Sequence, residues 1–141
     1  MKKRKNLWAP VLFGLWTVFI FARSLQPADL SNEESGRILS VLEQLLPFAL
    51  SNHFVRKAAH FIEYAVSGFL GWFVFASRRG WERPAFAMTL CLLTALCDET
   101  IQLFVEGRGG MIADVWLDMA GVLGGVLGGM IVQKLVHRFR R

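Results

Sequence analysis

Four long apolar runs constrain this chain more than any other feature: Leu7 to Ala22, Ala58 to Ala76, Pro84 to Val105 and Ile112 to Val136. Buried strands are shorter than these runs, and the last three reach the length that carries a helix across a bilayer. The first rises only about 24 Å against a hydrocarbon core of roughly 30 Å, so Lys5 and Arg23 would have to snorkel to the two interfaces. It follows Met-Lys-Lys-Arg-Lys, as the core of a signal peptide would, but Ile20 is too large for the cleavage-site position it would occupy. The run is therefore expected to be a retained first helix. With 141 residues, 54% of them hydrophobic, the chain is too small to hide its apolar surface in a soluble core. The expected class is all-α: a polytopic membrane protein, residues 1–141 forming one domain, with four transmembrane helices at about 7–22, 58–76, 84–105 and 112–136.

Basic residues are sorted by those boundaries. Lys2, Lys3, Arg4 and Lys5 precede the first run, Arg78, Arg79 and Arg83 lie between the second and third, and Lys134, Arg138, Arg140 and Arg141 close the chain. These are eleven of the 16 Lys and Arg residues. The other side holds Arg23, Arg37, Arg56, Lys57 and Arg108 among five acids. The positive-inside rule then puts both termini in the cytoplasm, with Trp8 and Trp81 at the inner interface and Trp116 at the outer one. A net charge of +5 divided in this way reports topology and not a nucleic-acid surface. Cys91 and Cys97 do not share a helical face and do not suggest a metal-thiolate site.

The segment 24–56 is the one long polar stretch, opened by the turn signal Gln26-Pro27. Ser31 and Glu34 have capping-box spacing, and Ile38, Val41, Leu42, Leu45 and Leu46 fall on one helical face before Pro47. This predicts a short amphipathic outer helix, either flat at the interface or packed on the bundle as a lid.

Ionisable residues then appear where lipid is the solvent, which costs at least a few kcal/mol per charge and calls for pairing, water or function. The second helix carries His60, Glu63, Tyr64 and Ser67 on one stripe, the third carries Asp98, Glu99 and Gln102 near its outer end, and the fourth opens with Asp114, Asp118 and Gly121. Counted at about 1.5 Å per residue, these groups share one layer below the outer boundary, while the inner half is expected to hold no polar residue. Arg108, in the Glu-Gly-Arg-Gly-Gly connector, hangs over that layer with a fork suited to a carboxylate or phosphate. Asp98 and Glu99 diverge by about 100°, so only one of them is expected to face the layer squarely. Asp114 is read as a capping or interfacial residue, and His53 and His137 as exposed. Gly121, Gly125 and Gly129 form a ladder for close helix packing inside the monomer or across a dimer, with Gly124 and Gly128 forming a second one.

These residues spell a pattern: Ser24-Leu-Gln-Pro27, then Arg56-Lys57-Ala-Ala-His60-Phe-Ile-Glu63-Tyr64, then Asp98-Glu99-Thr-Ile-Gln102, then Gly107-Arg108 and Asp114-Val-Trp-Leu-Asp118-Met-Ala-Gly121. The pattern resembles the VanZ-like family of bacterial membrane proteins over almost the whole chain. Where that family often has Asn, this chain has Asp118, which adds a negative charge. The resemblance implies a small helical protein of the bacterial cytoplasmic membrane and cell envelope, in a family named for a member that gives low-level resistance to the glycopeptide teicoplanin. It implies no settled chemistry.

Two functional classes stay open. In one, the polar layer binds at the outer leaflet: membrane lipids, a lipid-linked envelope precursor or a glycopeptide would be partners, and no cofactor is needed. In the other, the carboxylates and His60 hold a divalent cation or act as acid and base on a lipid phosphate. No nucleophilic triad or zinc-helix signature is present. Transport is disfavoured, because four helices with an apolar inner half offer no path through.

Overall fold

The structure is a computed structural model that describes residues 7–45 and 51–139. Those residues form five α-helices and no strand: α1 Trp8–Ser24, α2 Ala28–Leu45, α3 Asn52–Val74, α4 Glu82–Gln102 and α5 Ile112–Phe139. Trp8 meets Phe73 at one end of the bundle, while Ser24 meets Asp98 and His60 meets Asp118 at the other. Thus α1 runs parallel to α4, and α3 runs parallel to α5. Arg78 and Arg83 mark the first end, called inner here, and Arg108 marks the outer end.

The sorting of side chains is that of a protein dissolved in lipid. Small or polar residues take a large share of the interior beside Phe13, Ile20 and Trp72: Ala87, Cys91, Thr94, Ala95, Asp98 and Gln102 lie on the buried stripe of α4. Leu15, Val18, Ile62, Leu93, Leu127 and Ile131 face outward instead. Without a hydrophobic drive between helices, association rests on backbone closeness and polar contacts, and small interior residues permit both. By length and composition α4 and α5 are long and apolar enough to cross a membrane, and α1 with the first part of α2 makes a third candidate if that bent pair counts as one. The expected count of four is therefore supported only in part. The 23 residues of α3 are long enough to span, but Arg56, Lys57, His60 and Glu63 in its outer half lower its hydropathy.

Two boundaries differ from expectation. The third helix starts at Asn52 and not near Ala58, because Ser51 caps it by accepting the Phe54 N–H at 3.2 Å, so Arg56 and Lys57 are helical. In α2, Ser31 is not a cap: the helix begins at Ala28 on the Pro27 carbonyl, with Ser31 N–H bonded to it at 3.2 Å. Proline's fixed φ presets that entry. After the turn, α2 lies at 108° to α1, along the end of the bundle. Its small polar face, Ser31 and Ser35, is the buried one, while Ile38 and Val41 are exposed. That is the arrangement of an interfacial helix more than of an apolar lid. The side chains of Leu42 and Leu45, and residues Leu46 and Pro47, lie outside the described residues.

The largest interface joins α3 to α5, and the glycines make it. A Cβ at Gly121 would collide with the Phe61 carbonyl, one at Gly125 with the Ala65 carbonyl, and one at Gly68 with the Val122 carbonyl. The ladder Gly121, Gly125 and Gly129 is thus covered within the chain by α3, the first of its two expected packings. Gly124 meets nothing within 4 Å.

The inner half is not free of polar groups, against expectation. Arg83 is 7% exposed there. It donates to the Trp72 carbonyl and the Gln133 amide oxygen, each at 2.7 Å, and lies 3.9 Å from the centre of the Trp72 ring. Trp72 Nε1 donates to the same Gln133 oxygen at 2.9 Å.

Candidate functional site

At the outer end, four helices and one connector deliver polar side chains to a single layer. From α3, the helical stripe presents His60, Glu63 and Tyr64, one turn apart. From α4 come Asp98, Glu99 and Gln102, all buried, and from α5 Asp118, also buried. His60 Nδ1 lies 3.6 Å from an Asp118 oxygen and 4.0 Å from Asp98 Oδ2. One ligand-type atom each from His60, Asp98, Glu99 and Asp118 lies within 4.8 Å of the others. Asp98 and Glu99 therefore both reach the centre, although only one was expected to. The extra methylene of Glu99 offsets its turn around the helix.

The expected residues divide into two groups. His60, Asp98, Glu99 and Asp118 form the centre, with Tyr64 buried beside them, while Glu63, Arg108 and Asp114 form a brace around it. Glu63 pairs with Arg23 at 3.0 Å, and Arg23 also donates to Glu34 at 2.9 Å, which joins α1, α2 and α3. Lys57 pairs with Asp114, which joins α3 to α5. Arg108 points its fork at α2 and the end of α1 instead of at a carboxylate. It donates to Ser31 Oγ at 2.8 Å and to the carbonyls of Arg23 and Ser24 at 3.3 and 3.4 Å. Burial, reinforced by nearby Arg56, lowers its pKa, yet a guanidinium stays charged at physiological pH. Gln102 donates to Glu99 at 3.5 Å, a long contact. His53 and His137 are exposed, as expected.

The connector that carries Arg108 is held by its own backbone. Gly107 takes φ +70°, which an L side chain resists, and the Glu106 carbonyl accepts the Ala28 N–H at 3.2 Å. Met111 N–H donates to Glu99 Oε2 at 2.7 Å. Ser24, which sequence spacing did not assign to the layer, donates to Asp98 Oδ1. Its signal was weak: a lone serine at the end of an apolar run, four residues after Ile20 on the buried stripe of α1.

Five buried polar atoms of the centre have no hydrogen-bond partner: His60 Nδ1, Tyr64 OH, Asp98 Oδ2 and both Asp118 carboxylate oxygens. Beside the centre is a cleft of about 80 Å³, lined by His53, Arg56, Lys57, His60 and Arg108 with Asp114 as its one acid. A smaller cleft of about 30 Å³, room for a water, lies between α2 and α3 over Ser31 and Glu63.

A family profile described as VanZ/LLP1 matches residues 10–133, which spans every element that builds this site. The chain belongs to the VanZ/LLP1 family. The VanZ resemblance read from the five short motifs is thereby shown, and with it the coarse reading of a VanZ-like, all-helical membrane protein. No curated protein and no solved structure matches this VanZ-family chain.

Proposed function

We propose that this VanZ-family protein spans the bacterial cytoplasmic membrane four times, with both termini in the cytoplasm, and engages a phosphate-bearing head group at the outer leaflet. The observation that carries the reading is the basic cleft: Arg56, Lys57, His53 and Arg108 surround about 80 Å³ at the outer end, against one acid already paired with Lys57. The Arg56 guanidinium and the N-terminal ends of α3 and α5 suit a phosphate there, with the charge of Arg108 alongside. The exposed Ile38 and Val41 of α2 supply an apolar rim, with Ile38 lining the smaller cleft beside Arg56 and His60. A membrane lipid or a lipid-linked envelope precursor is the ligand class, and a glycopeptide with a lipid tail is a second molecule that reaches this layer.

The biological expectation is a contribution to low-level teicoplanin tolerance. Producing the protein in a sensitive Gram-positive host should raise tolerance to teicoplanin more than to vancomycin, since the lipid tail brings the former to the membrane. Arg108→Ala should remove the effect with the protein still present. Equal tolerance to both drugs, or none to either, would overturn the resistance role.

A second reading, an enzyme acting on a lipid phosphate, is favoured by one observation: His60 belongs both to the basic cleft and to the carboxylate centre. Comparing envelope lipids in cells with the wild type and with Asp118→Asn separates the two. A lipid that appears or vanishes only with the intact centre would replace the binding reading with the catalytic one.

A further inference from the structure

We propose that His60, Asp98, Glu99 and Asp118 bind a first-row divalent cation, Mn²⁺ or Zn²⁺, as a built-in part of the fold. Imidazole and carboxylate ligands hold such ions at about 2.0–2.2 Å, so two ligand atoms lie at most about 4.4 Å apart across the ion. The four ligand atoms here are already within 4.8 Å of one another, so closing the shell takes adjustments below an ångström. The donor set is oxygen-rich with one imidazole nitrogen, which suits borderline and hard first-row ions. Ca²⁺ would ask for more oxygens, carbonyls among them.

Orphaned polar atoms supply an independent reason. Asp98, Asp118 and Tyr64 are 0% exposed, yet Asp98 Oδ2, both Asp118 oxygens and the Tyr64 hydroxyl have no partner. Each such group carries a desolvation cost of about 1–3 kcal/mol or more, and native interiors rarely leave several in one place. Here Asp98 Oδ2 and Asp118 Oδ1 lie 4.0 and 3.6 Å from the equally unpartnered His60 Nδ1. The carboxylates are also held as monodentate ligands are held: Ser24 occupies Oδ1 of Asp98, leaving Oδ2 4.0 Å from His60 Nδ1, and Met111 N–H occupies Oε2 of Glu99, leaving Oε1 with one long contact from Gln102 at 3.5 Å.

Charge balance points the same way. Arg23 is paired with Glu34 and Glu63, Lys57 with Asp114, and Arg108 with Ser31 and two carbonyls. Among the described residues no basic side chain except His60 lies within ion-pair distance of Asp98, Glu99 or Asp118. Three buried carboxylates against one imidazole repel each other, and a dication offsets that repulsion. The site is defined by the protein's own atoms and does not rest on the head-group reading.

The test uses the full chain purified in detergent without added chelator. Elemental analysis should find about one Mn or Zn per chain, because such ions bind with the fold. Asp118→Asn and His60→Gln should lose the ion while keeping the helical circular dichroism, and Ser24→Ala should weaken affinity about 10–100-fold by freeing Asp98 to turn. Chelator-treated wild type should regain thermal stability on titration with Mn²⁺ or Zn²⁺, a result that stands even if a variant fails to accumulate. Wild type that carries no ion and gains no stability from either titration would overturn the site, leaving carboxyl groups that share protons. Neither readout involves a lipid or an antibiotic, so failure here is distinct from failure of the head-group reading.

Discussion

Arg83 shows how one residue type serves two purposes. In the sequence it counts as a topology charge, one of eleven on the inner side, yet its guanidinium is buried against Trp72 and Gln133 with no carboxylate within ion-pair distance among the described residues. A planar fork that bonds a carbonyl and an amide while stacking on an indole is a role that Lys cannot fill. Arg83→Met should therefore lower the stability of the detergent-solubilised protein by about 1–3 kcal/mol, the cost of leaving acceptors without their donor. Denaturant titration checks it, and a variant as stable as the wild type would show that the clamp contributes nothing. At the opposite end, Glu63 and Asp118 look alike in sequence, both acids inside helices. They differ in surroundings: Glu63 faces Arg23, and Asp118 faces His60 and no fixed cation.

At the scale of the element, α5 illustrates what a glycine row accomplishes. Its buried positions, Gly121, Val122, Gly125, Val126 and Gly129, form a smooth strip on which α3 lies almost backbone to backbone. The approach sets the separation of His60 and Asp118, one on each helix, so the packing and the site are one construction. Gly125→Leu should push the helices apart, and the protein should lose its monodisperse peak in detergent size-exclusion chromatography. Gly124→Ala, one position away with nothing within 4 Å, should elute and melt like the wild type. If both variants behaved alike, the close approach would not be what holds α3 to α5. The outer helix α2 follows a different logic, since Pro27 presets its entry and Arg108 and Arg23 hold it by polar contacts.

For the whole molecule, orientation is the first question, and the proposed topology rests on the division of basic residues, which would put residues 24–56 and the Gly107 to Gly110 connector outside. In a background lacking Cys91 and Cys97, single cysteines at Asn32 and Gly109 should react with a membrane-impermeant thiol reagent in intact cells. Labelling at Arg79 but not at Asn32 would reverse the orientation. The helical class, the approximate helix positions and the membership of His60, Asp98 and Asp118 in one layer were legible beforehand, because period, length and depth along a helix are properties of spacing alone. Ser31 at capping spacing and the second-helix start near Ala58 misled, because a local signal is overridden where a neighbouring Pro27 or Ser51 offers a better start. What spacing could not supply was partnership. Whether Glu63 meets His60 or Arg23, whether Arg108 meets a carboxylate or a serine, and whether the glycine row faces α3 or a second copy depend on how far each helix is rotated about its axis. That rotation is decided by packing between helices distant in sequence, and so only the tertiary structure separated the four residues of the centre from the brace around them.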